Sequence, residues 1–523
     1  METVETNSTL YARWSWLLAP LLAAIYPVLY TYANSVEEAR LADAAICATI
    51  SLLSALALAF LLRLIYPNAK VAGLAAVVIV AWFFTYSGYM RLGRRVVEAV
   101  SSSPLKDYLL LGLWCLLVLV VLAVFWKIRW SEYRTGQVYR FVKLACLFAV
   151  ALAVVQIIWE ELHTRTRPPV TSIWSAEADA DPNIIPASWN PTLPAHARDV
   201  YYLVFDRYGN EEALNRYFGF DNSEFYAELE KRGFTVDRKA TTSYPMTMPS
   251  MAATLNMRYL NDQFRSIMDY SVPVQENDVG KLFIAAGYKF HYFGNPYDPL
   301  RKSSIAQWNM KISALPSEFA EQLVSMTPLR LLLGRHYKRT LALNRFAGVA
   351  KLAENPDPTF AYAHFLLPHP PYSFARDGSP QTETNRVTMT EQQLYVEQVV
   401  ATNRMILEMI DKILKSSSEK PIIILQADEG PYLMAGDESL SESDQIKKRM
   451  GILSAVLIPD DTIRERLPTP MKPVNTFRFL FKEYFGAPFG LLPDRSFYWE
   501  KPTPAGVATP GSKIVELPEP PQT

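Results

Sequence analysis

One threonine, placed just before a run of helix-forming residues, has the features of a nucleophile. Thr247 lies two residues before Pro249, in the stretch Tyr244-Pro-Met-Thr-Met-Pro-Ser-Met-Ala-Ala-Thr-Leu-Asn256. Because proline is tolerated in the first turn of a helix, the pattern predicts that Thr247 stands at a helix N-terminus, where free N–H groups favour negative charge. A hydroxyl there could attack a phosphate, but threonine is also an ordinary helix cap. The local sequence leaves both interpretations open.

Three acidic residues follow two apolar runs that are typical of buried strands. Asp206 ends the run 199–206, and Asp428 and Glu429 end the run 421–429. In open α/β sheets, ligands bind at the carboxyl ends of the strands. Carboxylate and hydroxyl oxygens are the ligands that hard cations prefer. The predicted metal ligands are Asp206, Thr247, Asp428 and Glu429.

Two histidines lie close together in a third segment, Phe360-Ala-Tyr-Ala-His-Phe-Leu-Leu-Pro-His-Pro-Pro-Tyr372. His364 or His369 could hold a phosphate oxygen or protonate a leaving alkoxide, so both are candidate catalytic residues. The alternative is that one is a structural histidine and the other a loop residue.

The order of these motifs resembles the alkaline-phosphatase superfamily, and within it the sulfatase-like, lipoteichoic-acid-synthase-like membrane proteins. Along residues 198–490 the chain shows strand-Asp, Thr-x-Pro-Ser, His-x-x-x-x-His-Pro-Pro-Tyr and strand-Asp-Glu-Gly. The resemblance implies a sulfatase-like α/β sandwich domain behind a membrane anchor, with a metal bound at Asp206. Members usually carry Asp-His-Gly where this chain has Asp428, Glu429 and Gly430. A glutamate there favours Mg²⁺ or Mn²⁺ over Zn²⁺, or it marks an inactive site.

The nucleophile separates the branches of this superfamily. The resembling sulfatases need Cys or Ser, followed four residues later by Arg, to make formylglycine. The corresponding positions here are Thr247 and Met251. Threonine is instead the nucleophile of the resembling phospho-alcohol transferases, so a phosphotransferase is favoured over a sulfatase.

The front of the chain is apolar enough to cross a membrane several times. Of 523 residues, 50% are hydrophobic, and the formal net charge of +0 gives no support to nucleic-acid binding. Five apolar runs, at 14–32, 44–66, 71–89, 107–127 and 141–160, are each near the length of a membrane-spanning helix. Basic residues at 127–143 favour a cytoplasmic fourth connection, which places the N-terminus inside and the C-terminus outside. The predicted domains are a five-helix anchor (1–162), a linker (163–197), an extracytoplasmic catalytic domain (198–500) and a Pro-rich tail (501–523).

Behind this anchor, short apolar strands alternate with amphipathic helices. Strands are predicted at 199–206, 288–293, 359–366, 421–427 and 452–458, and helices near 222–232, 277–286, 390–416 and 474–484. Such alternation is typical of an α/β sandwich with a largely parallel sheet.

These features predict a multi-pass enzyme of the plasma (inner) membrane that depends on a divalent metal, Mn²⁺ or Mg²⁺. Thr247 would take a phospho-alcohol group from a membrane phospholipid, and an envelope glycan or lipid would accept it. Two alternatives stay open. One is a catalytically silent relative that binds or senses a lipid, and the other is a phosphodiesterase or phosphatase of the same fold.

Overall fold

The computed structural model describes residues 14–36, 39–98, 106–127, 131–165, 189–260, 267–311, 315, 317–331, 337–433, 440–499 and 512–518. The helices are α1 (Leu18–Ala33), α2 (Leu41–Ile65), α3 (Ala69–Phe84), α4 (Tyr86–Glu98), α5 (Lys106–Lys127), α6 (Glu132–Arg165), α7 (Glu211–Phe218), α8 (Ser223–Lys231), α9 (Thr247–Asn256), α10 (Ile267–Gln275), α11 (Asp278–Ala285), α12 (Glu318–Ser325), α13 (Tyr337–Lys351), α14 (Glu383–Thr388), α15 (Glu391–Ser416), α16 (Glu442–Met450), α17 (Asp461–Arg464) and α18 (Pro473–Phe485). The strands are β1 (Val200–Phe205), β2 (Phe234–Val236), β3 (Lys289–Phe293), β4 (Trp308–Asn309), β5 (Thr359–Phe365), β6 (Ile422–Gln426), β7 (Ser454–Leu457), β8 (Phe497–Trp499) and β9 (Ile514–Glu516).

The chain divides into two compact units. One comprises Met1–Pro169 together with Ala314–Arg335, and the other comprises Val170–Ser313 together with His336–Thr523. Most of the predicted linker, residues 166–188, and most of the predicted tail lie outside the described residues. The described part of the tail contains β9, which pairs with β8 in a two-stranded sheet.

Among the described residues of the helical unit, four helices are long and apolar enough to cross a membrane, or five if a bent pair counts as one span. The bent pair is α3 and the start of α4, which meet at an angle of 57°. The predicted third span, 71–89, is therefore broken, because the apolar run ends at Phe84 and α4 is strongly amphipathic. Large apolar side chains on α2, α5 and α6 are exposed, as expected for helices solvated by lipid.

A segment from the rear half of the sequence belongs to the helical unit. Helix α12 packs Phe319 and Leu323 against Val28, Tyr32 and Ala44, at the end of α1 and the start of α2. Beyond α12, the carbonyl of residue 326 accepts a hydrogen bond from the backbone of residue 87, in the first turn of α4. The sequence analysis did not predict that this segment belongs to the helical unit. An eight-residue amphipathic helix has the same sequence pattern whether it packs on a sheet or on other helices.

The second unit is built on a seven-stranded sheet with the order β2-β7-β6-β1-β5-β3-β4. Strands β6, β1, β5, β3 and β4 run parallel to one another, whereas β7 is antiparallel to both of its neighbours, β6 and β2. Helices cover both faces. Tyr202 and Val204 of β1 point to one apolar core with α9 and α18, and Tyr201, Leu203 and Phe205 point to the other with α13 and α15.

The predicted α/β sandwich and its five main strands are confirmed, with boundaries that differ by one or two residues. The four predicted helices correspond to α8, α11, α15 and α18. Strands β2, β4, β8 and β9 were not predicted. Each has only two or three residues, too few to show the alternation by which a strand is recognised.

Candidate metal and nucleophile site

The site lies at the carboxyl ends of three adjacent parallel strands. Val204 of β1 pairs with His364 of β5 on one side and with Gln426 of β6 on the other. Asp206 comes two residues after Val204, and Asp428 comes two residues after Gln426. Because side chains alternate along a strand, both carboxylates and His364 point to the same face of the sheet as Val204.

These three side chains form a candidate cation site. One ligand atom from each of Asp206, His364 and Asp428 lies within 4.8 Å of the others, and all three residues are buried. Asp206 Oδ1 is buried and has no hydrogen-bond partner. Desolvation raises the pKa of Asp206 well above its usual value, and the charge of Asp428 raises it further. Two carboxylates placed together in this way fit a divalent cation, which would supply the missing partner.

Asp428 is the centre of the site. Its Oδ1 accepts hydrogen bonds from the backbone N–H of Glu429 at 2.9 Å and of Arg207 at 3.4 Å. Burial opposes the charged form, but the hydrogen bond and charge of His364, a hydrogen bond from Thr247 and the Glu429 backbone outweigh it and lower the pKa of Asp428. Asp428 is therefore held as a carboxylate.

Asn295 sets the orientation of His364. The Asn295 Oδ1 atom accepts a hydrogen bond from the backbone of Tyr297 at 2.9 Å, which turns its Nδ2 donor toward His364 Nδ1 at 2.8 Å. His364 Nε2 then faces Asp428 Oδ2 at 3.3 Å. In this tautomer Nε2 carries the proton, and coordination of a cation through Nε2 would require that proton to leave.

Thr247 is the first residue of α9, as the sequence predicts, but it is not the helix cap. The N-cap is Met246, whose side chain makes no capping hydrogen bond. Thr247 is half-buried, whereas the rest of α9 is buried. Its hydroxyl is near enough to Asp428 to contribute to the lowered pKa of that carboxyl. Thr247 therefore sits at the free N–H groups of a helix and beside the candidate cation site.

Glu429 lies outside the three-residue cluster. Its Oε1 atom accepts from Arg207 Nε at 3.4 Å, and its Oε2 atom accepts from Arg449 Nη2 at 3.3 Å. Both guanidinium groups also lie on the ring of Tyr432, at 3.4 and 4.0 Å from its centroid. Burial raises the pKa of Glu429 to about 7, against the opposing effect of the two arginines. A metal-ligand role for Glu429 stays a prediction, and this ion pairing would compete with it.

Replacing Glu429 by glutamine should test this structural role. The Glu429→Gln variant would leave two buried guanidinium groups without their carboxylate, which typically costs about 3–5 kcal/mol. We expect a clear fall in the free energy of unfolding with cation binding retained, measured by denaturant titration and by metal analysis. Glu228→Gln, at a partly exposed pair, is the control and should change stability little. Loss of cation binding with unchanged stability would instead identify Glu429 as a ligand.

His369 lies beside the site without joining the cation cluster. Its backbone N–H donates to the carbonyl oxygen of Asp206 at 3.2 Å, and its Nδ1 contacts the carbonyl of Pro370. Desolvation lowers the pKa of the half-buried His369 to about 3, and Arg207 lowers it further. The imidazole is therefore neutral at pH 7 in this arrangement. Acid catalysis by His369 stays a prediction, and it would require a bound anion to raise this pKa.

The structure adds residues that the sequence analysis did not assign. Asn295 is fully buried against His364, and Arg449 donates to the carbonyl of Pro245 at 2.9 Å, two residues before Thr247. Arg207 has a positive φ of 62°, which turns its backbone N–H toward Asp428. Gly430 is required sterically, because a Cβ there would lie 2.4 Å from the carbonyl oxygen of Lys448. In the sequence, the only signal that could have pointed to these residues was an acidic residue followed by glycine at the end of a predicted strand.

Comparison with known proteins gives one family match and several weak structural likenesses. The Sulfatase family model matches residues 213–453. The C-terminal periplasmic domain of EptC from Escherichia coli has 13% identity and a TM-score of 0.39, covering 64% of this chain and 98% of that one. The lipooligosaccharide phosphoethanolamine transferase EptA from Neisseria meningitidis has 15% identity and a TM-score of 0.36, covering 86% and 89%. No curated protein matches the sequence.

The chain therefore combines helices apolar enough to cross a membrane with an α/β domain that is sulfatase-like, as in the alkaline phosphatase superfamily. Within the α/β domain, residues 213–453 match the Sulfatase family model. The resemblance identified from the motifs is confirmed.

Proposed function

We propose that the protein transfers a phospho-alcohol group from a membrane phospholipid to an envelope glycan or lipid through a phosphothreonine intermediate. The observation that carries this proposal is the position of Thr247, a half-buried hydroxyl in the first turn of a helix and near enough to Asp428 to lower the pKa of that carboxyl. It is neither the helix cap nor a core residue. A nucleophile needs this combination of access, a nearby base or cation and a positive helix end.

The charges of the site suit an anionic substrate once a divalent cation is bound. The carboxylates of Asp206, Asp428 and Glu429 and the guanidinium groups of Arg207 and Arg449 give a formal sum of −1. A divalent cation changes this sum to +1, which favours a phosphodiester carrying one negative charge.

The bond changes follow from a threonine nucleophile. A bond forms between Thr247 Oγ1 and phosphorus as the bond from phosphorus to the diacylglycerol oxygen breaks, and the released alkoxide takes up a proton. A hydroxyl of the acceptor then attacks the phosphorus and frees Thr247. Arg449 holds the backbone before Thr247 through Pro245, so it positions the nucleophile in both steps.

The residues that would hold the cation are Asp206, His364 and Asp428, with Thr247 beside them. A bound divalent cation lowers the pKa of a coordinated hydroxyl and neutralises charge on the phosphoryl oxygens. The preference for Mn²⁺ or Mg²⁺ stays a prediction. Its premise of oxygen-only ligands is weakened, because the cluster contains an imidazole, a ligand that also suits Zn²⁺.

The proposal is tested with a phospholipid labelled in its head-group phosphate. The full-length protein in detergent micelles should release diacylglycerol and carry label that survives acid quenching on a threonine. A phosphodiesterase or phosphatase would release the labelled group into water without an acceptor. A silent lipid-binding relative, which the ion pairs of Glu429 favour, would bind the lipid and release nothing.

We further propose that the catalytic domain is extracytoplasmic, with five spans and the N-terminus in the cytoplasm. The connections between α2 and α3 and between α5 and α6 are flanked by Arg63, Lys70 and Lys127, and the positive-inside rule makes both connections cytoplasmic. The fifth span then leads from the cytoplasm to the other side of the membrane, where the catalytic domain follows it.

This topology predicts which residues a membrane-impermeant maleimide can reach. In a chain with Cys47, Cys115 and Cys146 replaced by alanine, Ser35→Cys should be labelled in intact spheroplasts. Ser131→Cys should be labelled only after lysis, because it would lie in the cytoplasmic fourth connection. The reverse pattern would show that the catalytic domain is cytoplasmic.

A further inference from the structure

Helix α4 has the amphipathic pattern of a helix that lies at a membrane surface. With about 3.6 residues per turn, the apolar positions 86, 89, 90, 96 and 97 fall on one side of this helix. The positions of its charged residues, Arg91, Arg94, Arg95 and Glu98, fall on the opposite side. A strong separation of this kind, with arginines on the polar side, is typical of helices that bind the surface of a bilayer.

The bend between α3 and α4 places the start of α4 at the end of an apolar helix. One residue, Thr85, separates the two helices, and they meet at 57°. For an α3 close to the membrane normal, this turn brings α4 nearer to the plane of the membrane than to the normal. Aromatic rings gather at the bend, with centroids 6.2 Å apart for Trp82 and Tyr89 and 5.4 Å apart for Tyr86 and Trp114. Tryptophan and tyrosine are enriched where a bilayer meets water.

Within the described part of the chain, α5 covers only part of α4. Tyr86 and Met90 are buried against Leu110 of α5. Leu92 is 65% exposed, although it borders the apolar side of the helix. Arg91 is also exposed, and none of the described carboxylates forms an ion pair with it. An exposed leucine beside an exposed arginine fits a place where acyl chains meet phosphate head groups.

We propose that α4 lies along the membrane surface and binds the head groups of anionic phospholipids through Arg91, Arg94 and Arg95. These arginines and Glu98 give the helix a formal charge of +2, and a guanidinium can donate two parallel hydrogen bonds to a phosphate. On the topology proposed above, α4 is extracytoplasmic, where the positive-inside rule disfavours arginine. An anionic ligand on that side accounts for their presence. The proposal does not depend on phosphoryl transfer at Thr247.

The test places a fluorophore on α4 in the full-length protein, reconstituted in nanodiscs of phosphatidylcholine. In a chain with its three cysteines replaced by alanine, Leu92→Cys carries the label. Quenching by brominated phosphatidylglycerol is compared with quenching by brominated phosphatidylcholine at the same mole fraction. Since an arginine near an anionic head group gives about a fivefold preference, the anionic lipid should be enriched at the label at least about fivefold. High salt should reduce this enrichment, because it screens exposed charges.

Replacing Arg91, Arg94 and Arg95 together by glutamine should abolish the preference for the anionic lipid and leave the melting temperature nearly unchanged. Arg134→Gln, at an exposed arginine of α6, is the control and should keep the preference.

Three results would overturn the proposal. The first is equal quenching by the two lipids in the chain that keeps its arginines, and the second is an undiminished preference in the triple variant. The third is a label that iodide quenches and neither lipid does. If that label responded to dextran sulfate, the partner of α4 would be a soluble polyanion and not a membrane.

Discussion

The Thr247→Ala variant should lose phosphoryl transfer by several orders of magnitude while remaining folded. A catalytic nucleophile has no substitute within its site, and its removal typically costs far more activity than a modest loss of stability can. Losing a side-chain cap would cost about 0.5–2 kcal/mol, but Thr247 follows the N-cap and makes no such bond. We therefore expect a nearly unchanged melting temperature and no covalently labelled protein after acid quenching.

Two further variants make this result specific. Thr247→Ser keeps the attacking oxygen and should retain part of the transfer activity and of the covalent label. Thr388→Ala removes the same atoms from an exposed threonine of α14, whose hydroxyl bonds only its own helix, and should behave as the wild type. Wild-type transfer by Thr247→Ala would refute the proposed mechanism and would favour the lipid-binding alternative.

Replacement of Asp206 by asparagine should have opposite effects on stability with and without a cation. In the cation-free protein, Asp206 and Asp428 repel each other in a buried site, and the pKa of Asp206 is raised above its usual value. A carboxyl whose folded-state pKa is raised destabilises the fold when it ionises, so at neutral pH this cost is present. Asp206→Asn removes it, and the cation-free variant should gain on the order of 1 kcal/mol.

The same change should abolish most cation binding and transfer activity. Asparagine offers a neutral oxygen in place of a charged ligand, so the stabilisation that the cation gives the wild type should largely disappear. Melting temperatures measured with chelator and with Mg²⁺, Mn²⁺ or Zn²⁺ would show both effects and identify the ion. Asp411→Asn, at an exposed pair with Arg232, is the control. A destabilised cation-free variant would show that Asp206 acts through a partner other than a metal.

The sequence by itself determined the longer helices and strands and the edge of the sheet at which the candidate catalytic residues lie. Apolar runs of 20 residues and strands such as 199–206 are local signals, because lipid and a buried sheet each demand continuous apolar side chains. The sequence signal that placed Asp206 and Asp428 at strand ends was equally local. Since parallel strands end at one edge, proximity of the two carboxylates followed without knowing their register.

Tertiary structure alone decided which acceptors and donors share the site. The paired register of β1, β5 and β6 brings His364 into the cation cluster, and the close approach of α16 to residue 430 places Arg449 beside Glu429. Arg449 and Glu429 are 20 residues apart, and Asn295 and His364 are 69 apart. No local pattern encodes such pairs, because ion pairs and orienting hydrogen bonds depend on how separate elements pack.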